Sequence, residues 1–132
     1  MAKILALDYG TKRIGLAISD ETGKLVFPRS SIPNEGQKNL FALLDSIIKA
    51  EGIIRIVVGL PLTLRGDRGP QAVAVKDVMS KFEEAVSIPV DFEDERLTSA
   101  FADRYVDDSS FGRDSLAAAA ILESYLARTN NS

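Results

Sequence analysis

The apolar positions of this chain recur with two different periods, and the changes of period mark its elements. Residues 4–7 and 14–18 are short apolar runs joined by the polar turn Asp8-Tyr9-Gly10-Thr11-Lys12-Arg13, the pattern of two strands and a tight connection. Residues 24–32 predict a third strand after a turn at Glu21-Thr22-Gly23. Pro28 assigns that strand to a sheet edge, where a missing amide donor does little harm. Over residues 34–51 the period becomes helical, with Leu40, Leu43, Leu44, Ile47 and Ile48 on one face, Asn34 as the expected N-cap and Gly52 as the stop.

Residues 53–59 are mainly β-branched and apolar, Arg55 and Gly59 apart, as expected of a strand covered on both faces and parallel to the first. A loop rich in turn residues, 60–70, leads to a second helix through about Glu84, with Val73, Val75, Val78, Met79 and Phe82 as its apolar set. Residues 88–92 form a short strand followed by Glu93, Asp94 and Glu95, and a helical segment is expected through roughly Val106. The last helix begins near Arg113-Asp114, and the run Ala117-Ala118-Ala119-Ala120 lets it pack closely on a sheet. The order βββαβαβα predicts an α/β chain with a ribonuclease H-like fold, a mixed five-stranded sheet flanked by helices on both faces. Residues 1–127 are expected to form a single domain and residues 128–132 a frayed tail.

Composition narrows the chemistry. The 132 residues include no Cys and no His, which excludes disulfides and every catalytic scheme built on a thiol or imidazole. Carboxylates remain as ligands for a hard cation. No apolar run approaches the roughly 20 residues that span a bilayer, so a cytoplasmic protein without membrane contact is expected. With 19 acidic and 16 basic residues the chain has no global attraction for nucleic acid, and any such surface must be local.

Asp8 is the first candidate site residue, because a poor strand former directly after an apolar run is an acid carried to the rim of a sheet. Gly10 allows a tight turn behind it, while Thr11, Lys12 and Arg13 supply a hydroxyl and two cations suited to phosphate. The acids after the fifth strand repeat the pattern. Asp114 opens the last helix, where an acid is also favoured by the helix dipole alone. In the expected fold Asp8, Glu95 and Asp114 can reach one rim, and Lys12, Arg13, Arg65, Arg68, Arg96, Arg104 and Arg113, which flank these motifs, are the candidates for a local nucleic-acid-binding surface together with Thr11. Strands are about 4.8 Å apart, so an acid two strands from Asp8 starts about 10 Å away and needs an inward turn. Carboxylates gathered in this way repel unless neutralised, and Mg²⁺ or Mn²⁺ suits an all-oxygen site that activates water against a phosphodiester.

Four segments in order resemble a known family: residues 7–17, residues 57–62 with Gly66 and Gly69-Pro70, residues 94–99, and residues 114–122. They are similar to the YqgF-type, Holliday-junction-resolvase-like proteins, whose bacterial members are described as pre-16S rRNA nucleases. The resemblance implies a divalent-metal nuclease site of Asp8, Glu95 and Asp114 using Mg²⁺ or Mn²⁺. It implies cleavage of structured nucleic acid, first the 5′ end of precursor 16S rRNA and alternatively branched DNA, by a monomer or a homodimer. Thr63 and Arg65 stand where the family commonly has Asn and Asp, and the segment before Asp114 is acidic and serine-rich where relatives are basic. Those departures, with the negative net charge, keep a non-catalytic RNA-binding or transcription-associated module as the other reading. Sugar kinases and actin-like ATPases also use an Asp-x-Gly-Thr turn, but they set ATP between two such domains, and this chain has one.

Overall fold

A computed structural model describes residues 3–61, 69–98 and 112–130. Its elements are β1 (Lys3–Tyr9), β2 (Arg13–Ser19), β3 (Val26–Pro33), α1 (Gln37–Glu51), β4 (Ile53–Leu60), α2 (Pro70–Val86), β5 (Val90–Asp94), a 3-10 turn (Glu95–Thr98) and α3 (Arg113–Asn130). The sheet has the order β3-β2-β1-β4-β5. β1 is central, antiparallel to β2 and parallel to β4, and β4 is parallel to β5. The carboxyl ends of β1, β4 and β5 therefore lie on one rim, beside the start of β2.

Side chains alternate across the sheet, so each strand contributes to two cores. On one face Leu5, Leu7, Ile14, Leu16, Ile18, Ile56 and Val58 pack with Leu40 and Leu44 of α1 and Val75, Met79 and Phe82 of α2. On the other, Ala6, Ala17 and Val57 meet Ala118, Ala119, Ile121, Leu122 and Tyr125 of α3. Helices thus cover both faces, as the pattern predicts. Small residues on β1, β2 and α3 bring the helix close to the sheet, and the closeness matters at the rim.

Four local expectations are corrected. The N-cap of α1 is Gly36, which has no side chain to make a cap bond, and the Asn34 amide instead donates to the Gly10 carbonyl. Val73 is exposed and Ala72 takes the inward position on α2. Ile54 at the start of β4 is exposed, so that strand is buried from Ile56 onward rather than throughout. The last helix runs past the expected start of the tail, since α3 continues to Asn130 and the Arg128 guanidinium is bonded to Glu93. Gly52 ends α1 in the left-handed conformation, and β3 with Pro28 is an edge strand, both as expected. The helical segment expected through Val106 lies outside the described residues.

Candidate active site at the sheet rim

Asp8 stands one residue before the end of β1, and its register partner on β2 is Gly15. Alternation from Ala6 turns the Asp8 side chain toward the face covered by α3. The missing side chain at Gly15 decides what lies there: a Cβ would stand 1.9 Å from the Asp114 carbonyl oxygen and 2.8 Å from the Ser115 amide nitrogen. The first turn of α3 therefore rests directly on β2. Ser115 is fully buried, and its hydroxyl accepts a bond from the Leu16 amide at 3.4 Å, where the β2–β3 register shifts.

Glu95 comes from two strands away. β5 ends at Asp94, the chain turns through the 3-10 segment, and the Glu95 side chain folds back over β4. It can do so because residue 59 is glycine. A Cβ there would meet Glu95 Cγ and Oε1, each at 2.9 Å, and Ile121 Cδ1 at 2.4 Å. The bare backbone of β4 is the path by which a glutamate crosses the gap between β5 and β1, and its carboxyl reaches a hydrogen bond with Asp8.

Two carboxyl groups can share a hydrogen bond only if one holds a proton. Burial pushes Glu95 up to about 8, helped by the bond it donates to Asp8 and by the charges of Asp8 and Asp94. Asp8 is also raised, by burial first; the Glu95 bond opposes this and the charge of Asp114 adds to it. Asp8 and Glu95 are therefore a contact pair with Asp114 close enough to be felt. Among the described residues no three acids lie near enough to hold one ion as they stand. The donor set, half-buried oxygens that repel one another and hold a proton against their usual tendency, fits a hard divalent cation.

The predicted cations divide into two kinds. Arg13 donates through Nε to the Ser31 hydroxyl at 2.9 Å and through Nη2 to the Ser31 carbonyl at 3.4 Å, which fastens it to β3. Arg96 is bonded to Asp94, with Nη2 at 2.6 Å from Oδ2. Thr11, Lys12 and Arg113 are exposed near the rim, with no side-chain partner among the described residues. Arg65, Arg68 and Arg104 lie outside the described residues. Gly10 does not take a left-handed conformation; its need is space, since a Cβ would lie 2.4 Å from the Arg13 carbonyl oxygen. The motif reading gave Asn34, Gly59 and Ser115 no role at the site. Asn34 carries no pattern beyond a capping residue type, and Gly59 and Ser115 gain meaning only from what is stacked on them.

A mixed sheet in this strand order is the ribonuclease H-like architecture that resolvases share. The model of one family, described as RuvX, Holliday junction resolvase, matches residues 2–128, and the chain belongs to that family. It is 40% identical to a protein of Chloroflexus aurantiacus named "Putative pre-16S rRNA nuclease", over 97% of this chain and 89% of the relative. A protein of the same name from Syntrophomonas wolfei is 37% identical over 94% of this chain and 93% of the relative. Among solved structures, Thermus thermophilus RuvC in complex with a Holliday junction substrate superposes with a TM-score of 0.65 at 12% identity. That superposition covers 100% of this chain and 98% of RuvC, and it shows a shared fold. Nucleases of this fold generally use divalent metals. No helix among the described residues is long and apolar enough to cross a membrane.

Proposed function

We propose that this protein is a divalent-metal-dependent endonuclease that trims the 5′ end of precursor 16S rRNA in the cytoplasm, with Asp8, Glu95 and Asp114 as its metal-binding and catalytic acids. The observation that carries this reading is the Asp8–Glu95 pair, delivered across β4 by Gly59 to a rim where α3 sets Asp114. The names of the relatives support the RNA substrate.

Mg²⁺ or Mn²⁺ at this site would supply an activated water and a counter-charge for the leaving oxygen of a phosphodiester. The chain's own contribution is to hold the acids. Asp8 is fixed by the central strand, Glu95 by the turn after β5, and Asp114 by the seat of α3 on Gly15. The Glu95 proton must leave before both carboxylates can act as ligands. Thr11 and Lys12, with Arg113 and the arginines of residues 65 and 68, are assigned to the phosphates flanking the cleaved bond, where contacts position the substrate without reading its sequence. Arg13 and Arg96, which also bond Ser31 and Asp94, are assigned to the same phosphate-binding surface, since a guanidinium carries more N–H donors than those bonds use.

Cleavage of a 5′-extended 16S precursor in Mn²⁺ should be lost in Asp8→Asn, while binding of the same RNA persists. Equal cleavage by the variant and the wild type rules the site out. Binding without cleavage by the wild type in either metal leaves the RNA-binding module as the function. The family description favours a second substrate, branched DNA, and a four-way junction run in the same assay separates the two.

A further inference from the structure

We propose that Asn34 is a positioning residue for the turn between β1 and β2, keeping the Gly10 and Lys12 carbonyls away from the nucleic acid so that the turn presents donors to phosphate. Asn34 lies just beyond β3, in a loop whose sequence suggested only a helix cap. Its side-chain Nδ2 donates to the Gly10 carbonyl at 2.8 Å, and its backbone amide donates to the Lys12 carbonyl at 2.9 Å. Its Oδ1 accepts from the Gly36 amide at 3.3 Å. Only one orientation of the amide satisfies both side-chain bonds, because the flipped form would set Oδ1 against the Gly10 carbonyl oxygen.

The consequence is electrostatic. The turn closes on itself through the Gly10 amide, which donates to the Arg13 carbonyl at 3.0 Å. With the Gly10 and Lys12 carbonyls also taken, the three backbone acceptors at residues 10, 12 and 13 have partners. The Thr11 and Lys12 amides have no backbone partner among the described residues, and beside them stand the exposed Thr11 hydroxyl and Lys12 ammonium. A phosphate meeting this turn finds donors, and backbone amides in such a turn form an anion-binding concavity. An uncapped carbonyl in the same place would repel it. Asn34 thus acts on substrate through the turn, without touching substrate or metal.

The inference rests on the reading that this turn grips nucleic acid, and the experiment separates the two. Binding of a structured RNA hairpin is measured by fluorescence anisotropy for the wild type, Asn34→Ala, Lys12→Ala and the double variant, with Mn²⁺ affinity measured on each protein. Loss of one such hydrogen bond is expected to raise the RNA dissociation constant of Asn34→Ala roughly fivefold. Mn²⁺ affinity should stay within about twofold, and in the Lys12→Ala background the Asn34 effect should largely vanish, since coupled residues are not additive. If Asn34→Ala does not fold, Asn34→Leu takes its place, being uncharged, similar in shape and without the Nδ2 donor. RNA binding unchanged by either Asn34 variant overturns the proposal, as does a loss that is fully additive with Lys12→Ala or one that lowers Mn²⁺ affinity equally. If Lys12→Ala itself binds as the wild type does, the turn is no grip and both readings fall.

Discussion

Glu93 and Arg128 form an ion pair whose carboxylate is 1% exposed: Oε1 accepts from Arg128 Nη2 at 2.6 Å and Nε at 3.1 Å. The other oxygen accepts from the Ser124 hydroxyl at 2.8 Å. Its neighbour on the same face, Asp91, is held by Arg55 at 2.8 Å and by the Tyr125 hydroxyl, whose pKa burial and that bond push up to about 12. The α3 side of β5 therefore carries two acids, both with bonds from the last helix. A buried charge deprived of its partner is expensive, so Arg128→Ala should lower stability by about 2–4 kcal/mol in urea denaturation, and Arg128→Lys should restore part of it. No change would mean that water replaces the guanidinium.

Gly15 and Gly59 should respond differently to a single methyl group. At Gly15 the added Cβ meets backbone, the carbonyl of Asp114, which cannot yield without shifting the first turn of α3. Gly15→Ala is expected to cost about 3 kcal/mol or more and to weaken metal binding with it. At Gly59 the obstacles are the ends of the Ile121 and Glu95 side chains, which can rotate. Gly59→Ala should cost about 1 kcal/mol while displacing Glu95, so Mn²⁺ titration should show a large loss in a protein that still folds.

Asp8→Asn should separate stability from function. Burial and the charge of Asp114 disfavour the Asp8 carboxylate in the metal-free protein, and an amide removes that cost. In EDTA the variant should be as stable as the wild type or more so by about 1 kcal/mol. Mn²⁺ should raise the melting temperature of the wild type and leave the variant unmoved. A destabilised Asp8→Asn would show that the carboxylate holds the fold together.

Glu95 sets a pH dependence with a definite sign. Its folded pKa, about 8, lies above the ordinary value of 4.5, so the folded state binds the extra proton between them. The stability this contributes is complete below about 4.5 and is lost as pH rises through about 8. Metal-free protein should therefore lose stability across that window in urea melts, and Glu95→Gln should flatten the slope. Because metal competes with the proton, Mn²⁺ affinity should climb over the same range, by at most about tenfold per pH unit for one proton released. An affinity independent of pH would remove Glu95 from the ligand set.

Much of this architecture is legible along the chain because it is periodic. The apolar runs at residues 4–7 and 14–18, the helical spacing of Leu40 and Leu44, and the run Ile56–Val58 each follow from which faces must be buried. Asp8, Glu95 and Asp114 were readable as acids at element ends. What failed lies in side chains that answer to distant partners. Asn34 has the chemistry of a cap and is used as a brace for Gly10. Arg128 sits in the last residues, where fraying is the default, and is held by Glu93 from 35 positions away.

The sequence by itself determined the element order, the amphipathic faces that close a mixed sheet between two layers of helix, and an oxygen-only site chemistry, since His and Cys are absent. These are properties of residue type and spacing. Only the tertiary structure decided that Glu95 crosses a strand to reach Asp8 and that Asp114 sits against Gly15. The reason is steric: those approaches depend on bare glycine backbone lying beneath one side chain and one helix turn, a coincidence of three separate segments that no local pattern encodes.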